Sequence, residues 1–127
     1  MYREIKGFPH NLRQEEVTIA AGASVSEMIA TQGEAIVGII MPAAWTAADI
    51  GYAACVSGNP GDLLPVMDSG GNYITTICAA SKFIAFPQTD AIFAPFIQVS
   101  SVQTKTATGV TQSVAAVIQL ILRKYLN

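Results

Sequence analysis

The chain is short of charge. Lys, Arg, Asp and Glu make up 13% of its 127 residues, where an average soluble domain has about 25%. The deficit is uneven. Residues 1–16 carry six charges, and the much longer stretch 17–122 carries only eight. A free-standing domain depends on surface charge to stay dispersed, so a body this poor in charge points to a surface covered by other subunits.

Other shortages narrow the function. No run of Lys and Arg occurs and the net charge is −2, which argues against nucleic-acid binding through phosphate neutralisation. The one histidine, His10, lies in a polar N-terminal stretch and makes a poor positioned base for a Ser or Cys nucleophile. Cys55 and Cys78 are the only cysteines, too few for a disulfide framework. They read as small buried apolar residues of a chain made in a reducing cytosol, with one disulfide between neighbouring strands as the alternative.

No cysteine or histidine pair has zinc-ligand spacing. Asp68 is the sole carboxylate of "DSGGN", and hard cations need several oxygen ligands. "GNPGD" lacks the Lys and the helix of a phosphate loop. No catalytic residue, cofactor or metal is expected. The N-terminus has no apolar core of the secretory kind.

The most suggestive apolar stretch, "VGIIMPAAWTAADIGYAACVS" (37–57), holds one charge, Asp49. A spanning helix needs about 20 predominantly apolar residues. Here Pro42 interrupts early, Thr46 and Asp49 follow, and the β-branched run before Pro42 forms helix poorly. No membrane segment is expected.

What is present is strand chemistry. "EVTIAAG", "SVSEMIA", "AIVGIIM", "DIGYAACVS", "YITTICA", "KFIAF" and "FIQVSS" are short apolar or alternating runs separated by Gly, Pro and Asn. "AIVGIIM" suits a strand buried on both faces, ended by Pro42. "DIGYAACVS" alternates, with Ile50, Tyr52, Ala54 and Val56 on one face. "SGNPG" and "DSGGN" are turn sequences, the latter of hairpin type. "TAAD" (46–49) has the form of a capping box with Asp for the usual Glu, and "PQTDAIFAP" suits one helical turn begun near Thr89 or Asp90.

The C-terminal segment 114–125 satisfies both periods. Val114, Val117, Ile118, Ile121, Leu122 and Tyr125 follow helical spacing, while Ile118, Leu120 and Leu122 share one face of a strand. The all-β context favours a closing strand. The pattern as a whole predicts an all-β chain, a single jelly-roll-like β-sandwich over residues 16–127 with an extended N-terminal arm over 1–15. Trp45, just past Pro42, reads either as a lid on the sandwich end or as an aromatic anchor at an interface or sugar site.

"GEAIVGIIMPAAWTAADIGYAACVSGNPGDLLPVMDSGGN" resembles a family of small structural proteins from the virions of tailed bacteriophages and prophage-like elements. The pattern is carried by Gly33, Val37, Gly38, Ile39, Met41, Pro42, Ala43, Ala44, Trp45 and Thr46, with Asp68 and Gly71 in the later loop. "FAPFIQVSS" and "TQSVAAVIQLILR" look like the family's penultimate and closing strands, so the likeness spans about residues 17–123. In relatives the penultimate strand carries an aromatic and Arg pair. This chain has Phe96, Ile97 and Gln98 there, so no role tied to that Arg transfers.

The resemblance implies a β-sandwich, a closing C-terminal strand and a place in the virion, assembled in the host cytoplasm. The expected function is a non-enzymatic capsid decoration or cement subunit that binds the major capsid protein or other virion proteins. Self-association, as a trimer, is expected too. The interface candidates are Trp45, Met41, Pro42, Tyr73, Phe8 and Tyr2. The alternatives are a receptor- or glycan-binding module of a head fibre or tail, with Trp45 and Tyr73 as stacking platforms, and a tail or neck component.

Overall fold

A computed structural model of the chain describes residues 11–87 and 90–124. Ten strands follow one another: β1 (Leu12–Ile19), β2 (Val25–Ala30), β3 (Glu34–Ile40), β4 (Asp49–Cys55), β5 (Leu64–Pro65), β6 (Thr75–Thr76), β7 (Phe83–Ala85), β8 (Ile92–Phe93), β9 (Phe96–Val102) and β10 (Ala116–Lys124). A 3-10 turn at Pro60–Asp62, capped by the Asn59 side chain, lies between β4 and β5.

Every pairing is antiparallel, and the pairs are nested. β1 pairs with β10 and β2 with β9. β3 pairs with both β7 and β8, and β4 with both β5 and β6. The chain is thus one long hairpin-like ribbon, wound so that β10 also joins β3 and β9 also joins β4. This winding defines a jelly roll, with β1, β10, β3 and β7/β8 in a front sheet and β2, β9, β4 and β5/β6 in a back sheet. A single pair, Ile19 with Ser26, links the two sheets at one edge.

Alternation along the long strands builds the core. Val17, Ile19, Ile36, Ile39, Ile118, Leu120 and Leu122 come from the front sheet, and Ile50, Tyr52, Ile97 and Val99 from the back. Burying each such aliphatic side chain contributes about 1.5–3 kcal/mol. Tyr52 reaches the core with its polar end satisfied, because its hydroxyl bonds the Thr76 hydroxyl at 2.6 Å. That bond ties β6 to β4, and burial pushes the Tyr52 phenol well above its ordinary pKa.

The C-terminal segment is a strand. Residues 116–124 are hydrogen-bonded to β1 on one side and β3 on the other. A helix there would leave both neighbours with open edges. Both faces of the strand are used. Ile118, Leu120 and Leu122 enter the core, and a register shift between Ile121 and Leu122 lets Ile121 be buried over Gly38.

Four local expectations change in the folded chain. β1 starts at Leu12, so residues 12–15, assigned to the arm, are strand, and Leu12 lies opposite Arg123. Their mixed charge hid a pairing that only β10 supplies. Val56 is 79% exposed because β4 ends at Cys55, which is buried instead. "TAAD" starts no helical turn, since Thr46 is held by the chain before β10. The Asp90 N–H closes a 3-10 turn onto the Pro87 carbonyl, so the expected helical turn is present but ends at Asp90 instead of starting there; Thr89 lies outside the described residues, as do residues 1–10.

Arg13 and Glu15 share the inward face of β1 with Val17 and Ile19, so one end of the core is closed by charge. Arg13 Nε donates to Glu34 Oε1 at 2.6 Å and Nη1 to Glu15 Oε1 at 2.8 Å. Burial opposes the Arg13 charge, and the two carboxylates more than offset this, holding its pKa above the ordinary value. Glu34 is only 3% exposed. Arg13→Ala strands that buried charge and is expected to cost about 3–5 kcal/mol. Leu120→Ala should cost about 2–5 kcal/mol through a core cavity, and Leu64→Ser, at an exposed edge, no more than about 0.5 kcal/mol. Urea titration, read as a midpoint shift at unchanged slope, ranks the three.

Candidate functional site

Three surface regions bear on function, and each follows from how the ribbon is wound. The first is the sandwich end formed by "MPAAWT". Met41 is 3% exposed and belongs to the core, so it is unavailable to a partner. Pro42 is half-buried, and its carbonyl accepts from the Ser81 N–H. Trp45 is also half-buried, packs against the core cluster, and donates its indole N–H to the Ala48 carbonyl at 3.2 Å. Trp45 therefore turns inward as a lid.

The loop behind Trp45 is clasped by Gln112, a residue singled out only as part of the "TQS" segment. The Gln112 side chain is fully buried. Its Nε2 donates to the Thr46 carbonyl at 3.0 Å, and its Oε1 accepts from the Thr46 N–H at 2.8 Å. The Ser113 N–H donates to Thr46 Oγ1. Two segments far apart in sequence, "MPAAWT" and "TQS", thus form one structural unit. Asp49, 7% exposed, starts β4 beside them, with its Oδ2 buried and lacking a hydrogen-bond partner. Both cysteines are free. Burial and the charge of Asp49 push the Cys78 thiol up to about 12.

The second region is the flank where the ribbon turns back. Among the described residues, ten large apolar side chains are exposed, and seven of them lie on or beside β4–β8: Val56, Leu64, Met67, Tyr73, Ile77, Phe83 and Phe93. Val56, Leu64 and Ile77 exceed 70% exposure, and Phe83 and Phe93 reach 60% and 63%. Alternation alone could place Phe83 opposite Ile84 in facing. It could not say which side was solvent, because that depends on β7 pairing with β3.

The third region comprises two hollows that share the segment Tyr73–Ile74. One is a groove of about 280 Å³ on the outer face of the back sheet, floored by Gly51, Ala53, Gln98 and Ser100 and walled by Tyr73, Leu63 and Thr106. The other is a cleft of about 600 Å³ between β6 and β7/β8, bearing Asp68, Asp90 and Lys105. The "DSGGN" loop shapes the wall between them. Asp68 Oδ1 accepts from the N–H groups of Gly70 and Asn72, and Gly71 supplies φ = 84°, which other residues adopt at a cost. The same backbone N–H groups hold the exposed Asp68 carboxyl below its ordinary pKa.

Of the sequence candidates among the described residues, only Tyr73 borders either of these hollows. Trp45 lines neither, so the two expected stacking platforms are not brought together. Tyr2 and Phe8 lie outside the described residues. Among the described residues, no three His, Cys, Asp or Glu side chains gather in a metal-binding group, and no helix is long and apolar enough to cross a membrane.

The clasp and the thiol make two checkable statements. Gln112→Leu leaves the Thr46 backbone unpaired and is expected to cost about 1–3 kcal/mol in urea unfolding. Cys78 should resist iodoacetamide at pH 8 in the folded protein, because the thiolate is the reactive form, and should label readily in denaturant. Rapid labelling of native Cys78 would contradict the burial described.

No family model, curated protein or solved structure matches the chain.

Proposed function

We propose that the protein is a non-enzymatic structural subunit whose apolar flank is covered in a larger assembly, a tailed-phage particle, as a decoration or cement subunit of the head. The observation that carries this reading is that seven large apolar side chains on or beside β4–β8 are exposed. Exposed apolar area marks contact surfaces where it is contiguous, and the short β5–β8 strands carry several of these side chains.

Three further features support the reading. Residues 17–122 carry only eight charges, as expected of a body that is not dispersed by its own field. The "MPAAWT" segment and the closing strand resemble virion structural proteins. The jelly roll is an architecture used by capsid domains, although it is used by lectins and cupins too, so the fold alone does not choose among them.

The flank has a defined mode of contact. β5, β6, β7 and β8 are two or three residues long, and Pro65 removes an N–H from β5. Short, interrupted edges oppose strand addition. A partner would therefore meet side chains, with Leu64, Ile77 and Phe83 as its anchors. Closed symmetric assemblies are the rule among homo-oligomers, and a trimer is the proposed form.

Sedimentation of the purified protein and its copy number in purified particles test the proposal. Hundreds of copies per particle place the subunit on the head shell, whereas tens or fewer favour a fibre or tail position. Ile77→Asp with Phe83→Glu should weaken self-association or particle binding at least tenfold, with unfolding midpoints nearly unchanged. A protein that stays monomeric at high concentration and is absent from particles would sink the reading.

A further inference from the structure

The groove on the outer face of the back sheet has a property that neither the core nor the apolar flank explains. In an antiparallel pair, residues directly opposite share a face. Gly51 lies opposite Ser100 and Ala53 opposite Gln98. Tyr52, Ile97 and Val99 point into the core, so Gly51, Ala53, Gln98 and Ser100 form an outward floor. Small residues keep that floor low. At Gly51 a Cβ would stand 3.0 Å from both Ser100 Oγ and a Val102 methyl, so no larger residue fits without displacing them.

The polar groups of this groove are unspent. Elsewhere the hydroxyls of Ser26, Thr31, Thr46 and Ser101 are all committed to hydrogen bonds within the protein, and so is the whole amide of Gln112. In the groove, the hydroxyls of Ser24, Ser100 and Tyr73 have no partner among the described residues. Gln98 donates its Nε2 to the Ser26 carbonyl, leaving its Oε1 unengaged. Donors and acceptors held on a rigid sheet beside apolar walls are the usual composition of a small-ligand site.

The lining also limits the ligand's charge. None of the sixteen described residues around the groove is Asp, Glu, Lys, Arg or His, although Asp68, Asp90 and Lys105 bear on the neighbouring cleft just across Tyr73. An ionised ligand would be desolvated there without compensation. The volume, about 280 Å³, lies just below the range usual for drug-sized ligands, which suits one ring-sized unit.

We infer that this groove binds one neutral pyranose unit of a carbohydrate, with Tyr73 as its aromatic wall and the Ser100 hydroxyl and Gln98 Oε1 as hydrogen-bonding partners. A pyranose has an apolar C–H face and a rim of uncharged hydroxyls. The C–H face is attracted to the negative face of an aromatic ring, while the rim exchanges hydrogen bonds with hydroxyls and amides. The inference does not rest on the assembly reading. The groove's floor, on β4 and β9, is separate from the proposed anchors Leu64, Ile77 and Phe83, although Pro65 of β5 and Tyr73, one of the exposed flank side chains, border it.

The test uses the full chain, labelled with 15N and titrated separately with D-glucose, D-galactose, D-mannose and N-acetyl-D-glucosamine. N-acetylneuraminic acid serves as the charged probe. At least one neutral sugar should cause saturable shifts in the Gly51 and Ser100 amides and the Gln98 side-chain amide, in the millimolar range. Tyr73→Ala should weaken that binding roughly tenfold, as expected for loss of an aromatic contact. Tyr73→Phe should keep most of it, and Ser100→Ala should weaken it several-fold without altering the rest of the spectrum.

The inference is overturned if no neutral sugar gives saturable shifts, or if only N-acetylneuraminic acid does. Shifts confined to the Asp68–Lys105 cleft, or binding indifferent to both Tyr73→Ala and Ser100→Ala, would overturn it equally.

Discussion

The ladder between β1 and β10 is the contact on which the rest of the fold depends. It joins the two ends of the described chain, residue by residue from Leu12 opposite Arg123 to Ile19 opposite Ala116. Closing so long a loop costs chain entropy before any contact offsets it. Once made, the ladder places β10 where β3 can pair with its other side. It also turns Val17, Ile19, Ile118 and Leu120 toward the back sheet together. The nested pairs β2–β9 and β4–β5 extend the same ribbon, so their register follows from that of the outer pair.

Winding a ribbon in this way makes its two ends unlike. At the outer pair the strands are long, and the core is closed at one end of the ladder by the Arg13–Glu34 pair and at the other by the Gln112 clasp on Thr46. At the inner end the ribbon must turn back on itself, and the strands shrink to the two- and three-residue β5–β8. Short strands cannot cover both of their faces. Leu64, Ile77, Phe83 and Phe93 consequently remain outside, at the place where hydrogen-bonded edges are least able to recruit another strand. Apolar exposure combined with blunted edges is what the proposed contact surface rests on.

Polar chemistry is divided just as unevenly. The buried side chains of Thr31, Ser101 and Gln112 are committed to the protein's own backbone, because a polar group removed from water is costly unless it finds a partner inside. Those on the outer face of the back sheet, Ser100 and Gln98 among them, are not fully engaged. The first set holds the fold closed. The second set is what the inferred pyranose site would use.

Composition and alternation were enough to assign the all-β class, the turns at "SGNPG" and "DSGGN", and the doubly buried character of "AIVGIIM", because these depend on chemistry between near neighbours. Residues 114–125 show where local pattern stops. Their apolar positions satisfy a helix and a strand, and the choice belongs to β1 and β3, which lie on either side of them. Met41 and Trp45 show the same limit at the level of a site. Pro42 ends the strand whichever way the chain then turns, but the Gln112 clasp and the Ala48 carbonyl decide that Trp45 faces inward. The groove could not be read from the chain at all. Gly51, Ser100 and Tyr73 come from three separate segments, and only the pairing of β4 with β9 and the turn after Asp68 set them side by side. Burial and hydrogen-bond partnership are properties of such distant pairs, and no single segment carries them.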